Sequence, residues 1–283
     1  MKTAYGYDRI TLWTDGPDMA FAKKILLPHC GNCKINFEQM PFQPMYQIKV
    51  DLFQPSSKCL ELLVEALRLG TAVMITYVEI AQDLLTNSGK DASRWKAELL
   101  NSARMRHQRK AVRQSEEGAE KGVHYFGHRK DPKVLAVYHD RPSKLNVPQA
   151  KGNHNPCLHI ELRVTGSDTL NALGIASIED LIRFDHAAFW NEALRFHRMP
   201  RRTELGRFLP PATKRREDVG DAALRKRARE WTDSNRDEHG NFILHTALLG
   251  EQELVRRFPL VSIDEWKKSL NSTRTKAPGE ASD

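Results

Sequence analysis

The sequence predicts an α+β fold, an antiparallel or mixed sheet with helices on one face, followed by a helical, basic C-terminal region. Three observations carry that reading. YQIKVDLF (Tyr46 to Phe53) and CLHIELRV (Cys157 to Val164) alternate apolar and polar residues with period two, the signature of strands with one buried face. Segments with apolar residues at helical spacing separate the strand candidates. Beyond Val164 strand signals essentially stop and the pattern turns helical.

In chain order, RITLW (Arg9 to Trp13) reads as a short strand, and Met19 to Leu27 has helical spacing until Pro28 stops it. In Tyr46 to Phe53, Ile48, Val50 and Leu52 share one face. Ser56 or Ser57 is placed to cap a helix carrying Leu60, Leu63, Val64 and Leu67, which Gly70 can end. AVMITYVEIA (Ala72 to Ala81) is the next strand, with Met74, Thr76, Val78 and Ile80 on one face and Tyr77 and Glu79 on the other. A long basic helix from about Ala92 to Gln114, capped by Asp91, is expected to follow. The linker EEGAEKG (Glu116 to Gly122) then leads to a hairpin: VHYFG, a polar turn at His128 to Pro132, and KVLAVYH. In the strand from Cys157, residues Leu158, Ile160, Leu162 and Val164 point inward and His159, Glu161 and Arg163 outward. Ser177 and Asp180 form a capping box at the next helix. The organisation expected is a first region at 1–200, a helical basic region at 201–270 and a disordered tail at 271–283, where NSTRTKAPGEASD is too polar to pack.

A chain of 283 residues with 40% hydrophobic and 28% charged residues has the composition of a soluble globular protein. No apolar run approaches the ~20 residues of a membrane span, and MKTAYGYDRI lacks a signal peptide's apolar core. A cytoplasmic location is expected. Arg195 to Arg229 holds twelve Lys/Arg against four acids, an excess equal to the formal net charge of +8. Lys90 to Arg113 holds eight against two. Such runs are either solvated helix faces or electrostatic footprints for a phosphate backbone, and two of them in one basic chain favour a polyanionic partner. The cysteines are Cys30, Cys33, Cys59 and Cys157. HCGNC (His29 to Cys33) is a CxxC without a second pair at zinc-site spacing or a thioredoxin-like context, so reduced thiols in a turn are expected.

Two constellations bear on chemistry. His159 and Glu161 stand at i and i+2 of one strand, on the same face and about 6–7 Å apart along it. Both can ligate one divalent cation, with Glu79 and Asp83 as further donors if the two strands are neighbours. Carboxylates with one imidazole suit Mg²⁺ or Mn²⁺ better than structural zinc. The plain alternative is a solvated sheet face with a salt bridge to Arg163. Tyr138 ends an apolar strand, where periodicity alone makes it a core residue with its hydroxyl at the surface. A phenol with a pKa of about 10 needs help to react. Its sequence neighbours His128, Arg129, Lys130, His139, Arg141 and Lys144 are cationic or able to become so.

The order of these motifs resembles the rolling-circle replication initiators of filamentous phages and related plasmids, the gene II/X type of phage replication protein. The likeness runs from YFGHRK (Tyr125 to Lys130) through KVLAVYHDR to CLHIELRVTGSDTLNALGI, with ITYVEIAQDL upstream, and covers about Ile10 to Pro200. It implies a replication-initiator nuclease-like fold and a metal-dependent, site-specific DNA nickase and strand transferase. By that resemblance Tyr138 matches the nucleophile that forms a phosphotyrosyl intermediate, and Glu161 the strand acid near the metal. Glu79 matches an upstream acid that is usually Asp, and His159 stands where relatives often have Arg. Tyr77 replaces an Arg, which removes a phosphate contact or ion-pair partner. Arg129, Lys130, Arg141, Lys144, Lys214, Arg215 and Arg216 are the expected DNA contacts. The implied cofactor is Mg²⁺ or Mn²⁺. The implied partners are single- and double-stranded DNA at a replication origin and a host helicase, in the cytoplasm of a bacterial host and away from any membrane.

Two other classes compete. A non-catalytic DNA-binding regulator explains the charge but not the order of the Tyr strand and the Glu strand. An RNA-binding sheet platform wants exposed aromatics at adjacent strand positions, for which the sequence offers Tyr77 and Tyr125.

Overall fold

The computed structural model describes residues 2–16, 19–67, 71–105, 113–115, 123–126, 131–139, 156–197 and 260–272, with isolated positions at 143, 145, 220, 222, 223, 226 and 230. The chain divides into two compact units: Met1–Ser93 with Arg109–Phe189, and Arg94–Gln108 with Trp190–Asp283.

The first unit is α+β and is built on a large antiparallel sheet. Its strands are β1 (Lys2–Thr14), β2 (Asn32–Phe37), β3 (Ile48–Phe53), β4 (Val73–Leu85), β6 (Arg113–Ser115), β7 (His124–Phe126), β8 (Lys133–Tyr138) and β9 (Cys157–Thr165); β5 (Ala103–Met105) lies in the second unit. Their order is β2-β3-β1-β4-β9-β8-β7-β6, and every pairing is antiparallel. The longest strands, β1 and β4, lie at the centre beside β9. Those three, with β8, carry the site.

Period-two alternation gives the sheet an apolar face. Ile10, Val50, Leu52, Val78, Ile80, Leu158, Ile160, Leu162, Val164 and Val137 are all 3% exposed or less. Each such aliphatic side chain contributes roughly 1.5–3 kcal/mol by leaving water. Helices α1 (Met19–Leu26), α2 (Ser57–Ala66), α4 (Ser167–Asn171) and α5 (Ile178–Arg183) cover this face. Tyr7 Oη donates to the Leu181 carbonyl at 2.9 Å and ties β1 to α5. Ser56 caps α2 by accepting from the Cys59 amide, and the Ser177/Asp180 capping box at α5 forms as its sequence predicts.

Several elements depart from the sequence reading. β1 and β4 are much longer than the sequence pattern predicts, and β2 carries no strand signal because its residues are mostly polar and solvent-exposed. In β4 a bulge at Thr76, between the pairs Thr11/Tyr77 and Leu12/Ile75, flips the alternation. Ile75 rather than Met74 therefore shares the buried face with Val78 and Ile80. The helix α3 (Gly89–Ser102) ends well before Gln114, and its first turn is capped by Ser88, which accepts from the Asp91 amide at 3.2 Å. Asp91 itself sits in the first turn, where its charge favours the helix N-terminus.

The second unit also contains strands, where the sequence suggested only helix. β5 (Ala103–Met105), β10 (Leu194–His197) and β11 (Leu260–Ser262) form a three-stranded antiparallel sheet in the order β11-β10-β5. These strands are three or four residues long, too short for alternation to register. Phe196 is fully buried and stacks on Trp266 of the final helix α7 (Ile263–Ser272), with ring centroids 4.4 Å apart. α6 (His186–Ala193) leads into β10. No helix among the described residues is long and apolar enough to cross a membrane.

Candidate metal and nucleophile site

The opposite face of the sheet is polar, and strand register assembles the site there. His159, Glu161 and Arg163 alternate along β9 onto this face. Across one edge His159 pairs with Asp83 and Arg163 with Glu79 of β4; across the other His159 pairs with Tyr138 of β8. Glu161 is flanked on its two sides by Ala81 and Ala136, and Gly6 pairs beyond Ala81. The three small residues of this cross-strand row flank a Glu161 carboxylate that is buried. A bulge in β1 between Tyr7 and Arg9 places Asp8 out of the regular alternation, and its carboxylate joins the same face.

The result is a buried polar cluster. His159 Nδ1 lies 2.5 Å from Asp83 Oδ1 and its Nε2 3.0 Å from Glu161 Oε2. Ser143 Oγ donates to the other Asp83 oxygen at 2.5 Å. Asp83 is fully buried, Glu161 1% exposed and His159 6% exposed. Arg163 donates to Glu161 Oε1 from Nε at 2.7 Å and from Nη2 at 2.6 Å. Tyr138 stacks on His159, centroids 4.4 Å apart and planes at 27°, and directs its hydroxyl to Glu161 Oε2 at 3.4 Å. Donor atoms of Asp8, His159 and Glu161 all lie within 4.8 Å of one another.

The electrostatics follow from burial set against pairing. Burial alone would lower the His159 pKa, but hydrogen bonds to Asp83 and Glu161 outweigh it and raise it to about 10. Burial pushes Glu161 upward, and its bonds to His159 and Arg163 reverse this and hold its pKa below the usual value. Asp8 is raised, chiefly by burial, against the favourable His159 charge and its hydrogen bond from Gln54. A cluster in which one imidazolium is held among acids carries a charge that a cation can replace. Two carboxylates and one imidazole are also a donor set suited to Mg²⁺ or Mn²⁺, so the residues fit a divalent metal.

The structure brings together Tyr138, His159 and Glu161. Glu79 lies on the same face but is engaged otherwise. It accepts from the Tyr77 hydroxyl at 2.5 Å and lies 3.5 Å from Arg163, and burial followed by the Glu161 charge raises its pKa to about 7. The sequence pattern ends this strand at Ala81, but β4 runs on to Leu85 and Asp83 is inside it. Asp8 was not singled out in the sequence, because a bulge breaks the alternation that would have revealed its face. The expected DNA contacts Arg129, Lys130, Arg141, Lys144, Lys214, Arg215 and Arg216 lie outside the described residues. The four cysteines are all buried, and none is in a disulfide. Cys33 is pushed up to about 11, first by burial, and no thiol belongs to a metal-ligand group among the described residues.

No protein-family model matches the sequence, and no curated protein matches it. Among solved structures the chain is similar to a rolling circle replication initiator protein from Geobacillus stearothermophilus, at 12% sequence identity over 70% of this chain and 88% of that one, with a TM-score of 0.38.

Proposed function

We propose that this chain is a rolling-circle replication initiator, a metal-dependent DNA nickase and strand transferase that works through Tyr138. The observation that carries the reading is the position of the Tyr138 hydroxyl. It faces Glu161, on a ring stacked against His159, at the place where three metal-competent donors converge. A buried core tyrosine has no need of that company, and a solvated sheet face would not bury an imidazole and two acids to this degree.

Asp8, His159 and Glu161 would hold the divalent ion, with Glu79 as a more distant acid on the same face. When bound, the metal withdraws charge from a scissile phosphate. The chain's own residues do the rest. His159 and Glu161 fix the Tyr138 ring and hydroxyl. The Tyr138 oxygen bonds to phosphorus, the bond from phosphorus to the 3′ oxygen breaks, and the phenolic proton passes through solvent to that oxygen. A 5′-phosphotyrosyl link and a 3′-OH that can prime synthesis result. The ester's energy is kept, so the reverse exchange rejoins the displaced strand without ATP. In this reading the basic runs bind origin DNA, a host helicase opens the duplex, and the protein acts in the cytoplasm of a bacterial host.

Incubation of the full chain with its own coding replicon and Mn²⁺ or Mg²⁺ should yield a covalent protein–DNA adduct that maps to Tyr138. Tyr138→Phe keeps the stacked ring and should lose the adduct while retaining DNA affinity. An adduct on Tyr125, or undiminished nicking by Tyr138→Phe, overturns the assignment.

A further inference from the structure

We infer that Cys30 and Cys59 are a reversible oxidation site, at which a hydroperoxide converts two thiols to a disulfide and thereby loosens the support of Asp8 in the metal cluster. The thiol chemistry stands on its own geometry; the effect on metal rests on the proposed function for Asp8 as a ligand. The pair lies where the turn after α1 meets the start of α2. Cys30 Sγ is 3.4 Å from the Leu26 carbonyl oxygen and Cys59 Sγ is 3.9 Å from the same oxygen, and the two thiols are hydrogen-bonded to each other. Ser56 ties the two backbones together. Its hydroxyl donates to the His29 carbonyl at 2.8 Å and accepts from the Cys59 amide at 3.2 Å. Cys33, on β2, is near enough to interact electrostatically with both thiols.

Buried thiols often serve as small apolar fillers. A filler needs no particular direction, whereas these two sulfurs converge on one carbonyl and on each other. The pair is also asymmetric. The hydrogen bond from Cys59, opposed by burial and aided by the Asn32 amide, holds the Cys30 thiol below its ordinary pKa. The same bond, with burial, pushes Cys59 up, and burial keeps Cys33 a thiol. Cys30 is therefore the thiolate of the group, the form that a peroxide oxidises. It keeps 5% of its surface exposed and Cys59 none, an opening for a small oxidant and not for a bulky disulfide. The Cys30 sulfur attacks one oxygen of hydrogen peroxide, the O–O bond breaks, and a sulfenic acid forms as the other oxygen leaves with the Cys30 proton as water. The Cys59 sulfur then attacks the Cys30 sulfur, the S–S bond forms, and the hydroxyl leaves with the Cys59 proton as a second water. Two electrons pass from the thiol pair to the peroxide, and a dithiol returns them.

The residue after Cys30 leads to the metal cluster. The Gly31 amide donates to the Phe53 carbonyl at 2.7 Å, and a Cβ at Gly31 would collide with Gln54 Oε1, so the close approach requires glycine. Gln54 in turn holds Asp8 by two bonds. Its amide donates to the Asp8 carbonyl at 3.0 Å, and its side-chain Nε2 donates to Asp8 Oδ1. Gln54 stands at a left-handed φ of 43°, a conformation that a residue with a side chain keeps only where its surroundings impose it. An S–S bond is about 2.05 Å long, much shorter than the contact between two thiols. Oxidation therefore draws Cys30 toward Cys59 and carries Gly31 with it. No space separates Gly31 from the Gln54 side chain, so the Gln54 amide shifts and Asp8 loses the donor that orients its carboxylate.

The test uses the full chain, reduced and metal-free, treated with hydrogen peroxide and then unfolded with an alkylating agent present. Two of the four thiols should become unreactive, peptide mapping without reductant should join Cys30 to Cys59, and dithiothreitol should restore all four. Oxidised glutathione should leave the folded protein unchanged over the same period. In Cys59→Ala the sulfenic acid at Cys30 has no resolving thiol and should be trapped by dimedone, while Cys33→Ala should oxidise like the parent. After removal of the peroxide, calorimetric titration should show the oxidised parent binding Mn²⁺ roughly 10-fold more weakly than the reduced parent, the low end for loss of a group that orients a ligand. Dithiothreitol should reverse this, which assigns the effect to the thiols, because it does not reduce methionine sulfoxide. Four reactive thiols after peroxide, or a link through Cys33 or Cys157 in the parent, overturns the oxidation site without recourse to any variant. Equal Mn²⁺ affinity in the two states overturns the effect on Asp8. A parent that binds Mn²⁺ in neither state removes the metal reading and that effect together, with the disulfide still standing on its map. Absence of an adduct at Tyr138 removes the nickase reading and touches neither part.

Discussion

His159 and Asp83 face each other across the β4 and β9 pairing, with Nδ1 2.5 Å from Oδ1, and this contact decides which way the imidazole points. With Nδ1 held by Asp83, Nε2 is directed at Glu161 at 3.0 Å and toward the convergence with Asp8. A carboxylate behind a ligating histidine fixes its tautomer and ring orientation and raises its basicity. Ser143, on the other Asp83 oxygen, holds the carboxylate in place.

Asp83 is therefore a positioning residue for His159. Asp83→Asn, nearly the same size, should weaken divalent-metal binding about 10- to 100-fold, while Ser143→Ala should have a smaller effect in the same direction. Calorimetric titration of Mn²⁺, with thermal melts of the apo proteins as the folding control, checks this. Parent-like metal affinity in a folded Asp83→Asn protein would leave Asp83 a structural residue only.

Asp8 and Glu79 are distinguished by the same titration. Asp8 shares the 4.8 Å donor group with His159 and Glu161, whereas Glu79 is committed to Tyr77 and Arg163. Glu161→Gln and Asp8→Asn should each weaken metal binding and cleavage together, since an amide is a poor ligand for a hard cation. Glu79→Gln should affect metal affinity less than either. A larger loss for Glu79→Gln than for Asp8→Asn would make Glu79 the third ligand.

The sequence shows the strand face carrying His159 and Glu161 because nine residues of β9 alternate without interruption. It shows Tyr138 at a strand end because the apolar run KVLAVY stops there and charged residues follow. Asp8 is hidden because a bulge has no period, and the flip of Met74 and Ile75 in β4 is hidden by the bulge at Thr76. Which strands are neighbours is a property of long-range pairing: β8 and β4 flank β9 although 47 residues separate Leu85 from Lys133. The burial of Glu161 also escapes the local pattern, which marks a charged residue between apolar ones as solvent-facing. Its partners His159 and Arg163 on its own strand, with the Tyr138 hydroxyl from β8, compensate the lost hydration.

Lys214, Arg215 and Arg216 test the basic region, whose excess of charge equals that of the whole chain. If they contact duplex phosphates, replacing two of them with Gln should flatten log K against log salt by about 1.8. Cleavage of a short single-stranded oligonucleotide at saturating protein should be unchanged. Duplex affinity measured across a salt series checks the first point; an unchanged slope would move the duplex contacts elsewhere.

The last expectation concerns acid stability and His186. Its ring lies among Tyr7 at 4.7 Å, Phe184 at 5.0 Å and Tyr5 at 6.3 Å between centroids. Burial in that setting, opposed by the Asp185 charge, lowers its pKa to about 4, against an ordinary value of about 6.5. The folded state thus keeps His186 neutral in a window where the unfolded chain protonates it. Between pH 6.5 and 4 the unfolded state binds more protons at this position, so its contribution to stability falls as pH falls through that window and is fully present above it. Below about pH 4 both states carry the proton and the loss stops growing. Neighbouring acids with raised pKa values, Asp8 and Glu79, act with the opposite sign, so the raw pH profile mixes contributions. Subtraction isolates the histidine: His186→Phe keeps an aromatic ring and has no titrating nitrogen. Urea unfolding of both proteins from pH 7.5 to 4 should show the variant gaining on the parent as pH falls, with a constant difference above about pH 7. A difference independent of pH would show that His186 is protonated alike in both states and that the aromatic cluster does not hold it neutral.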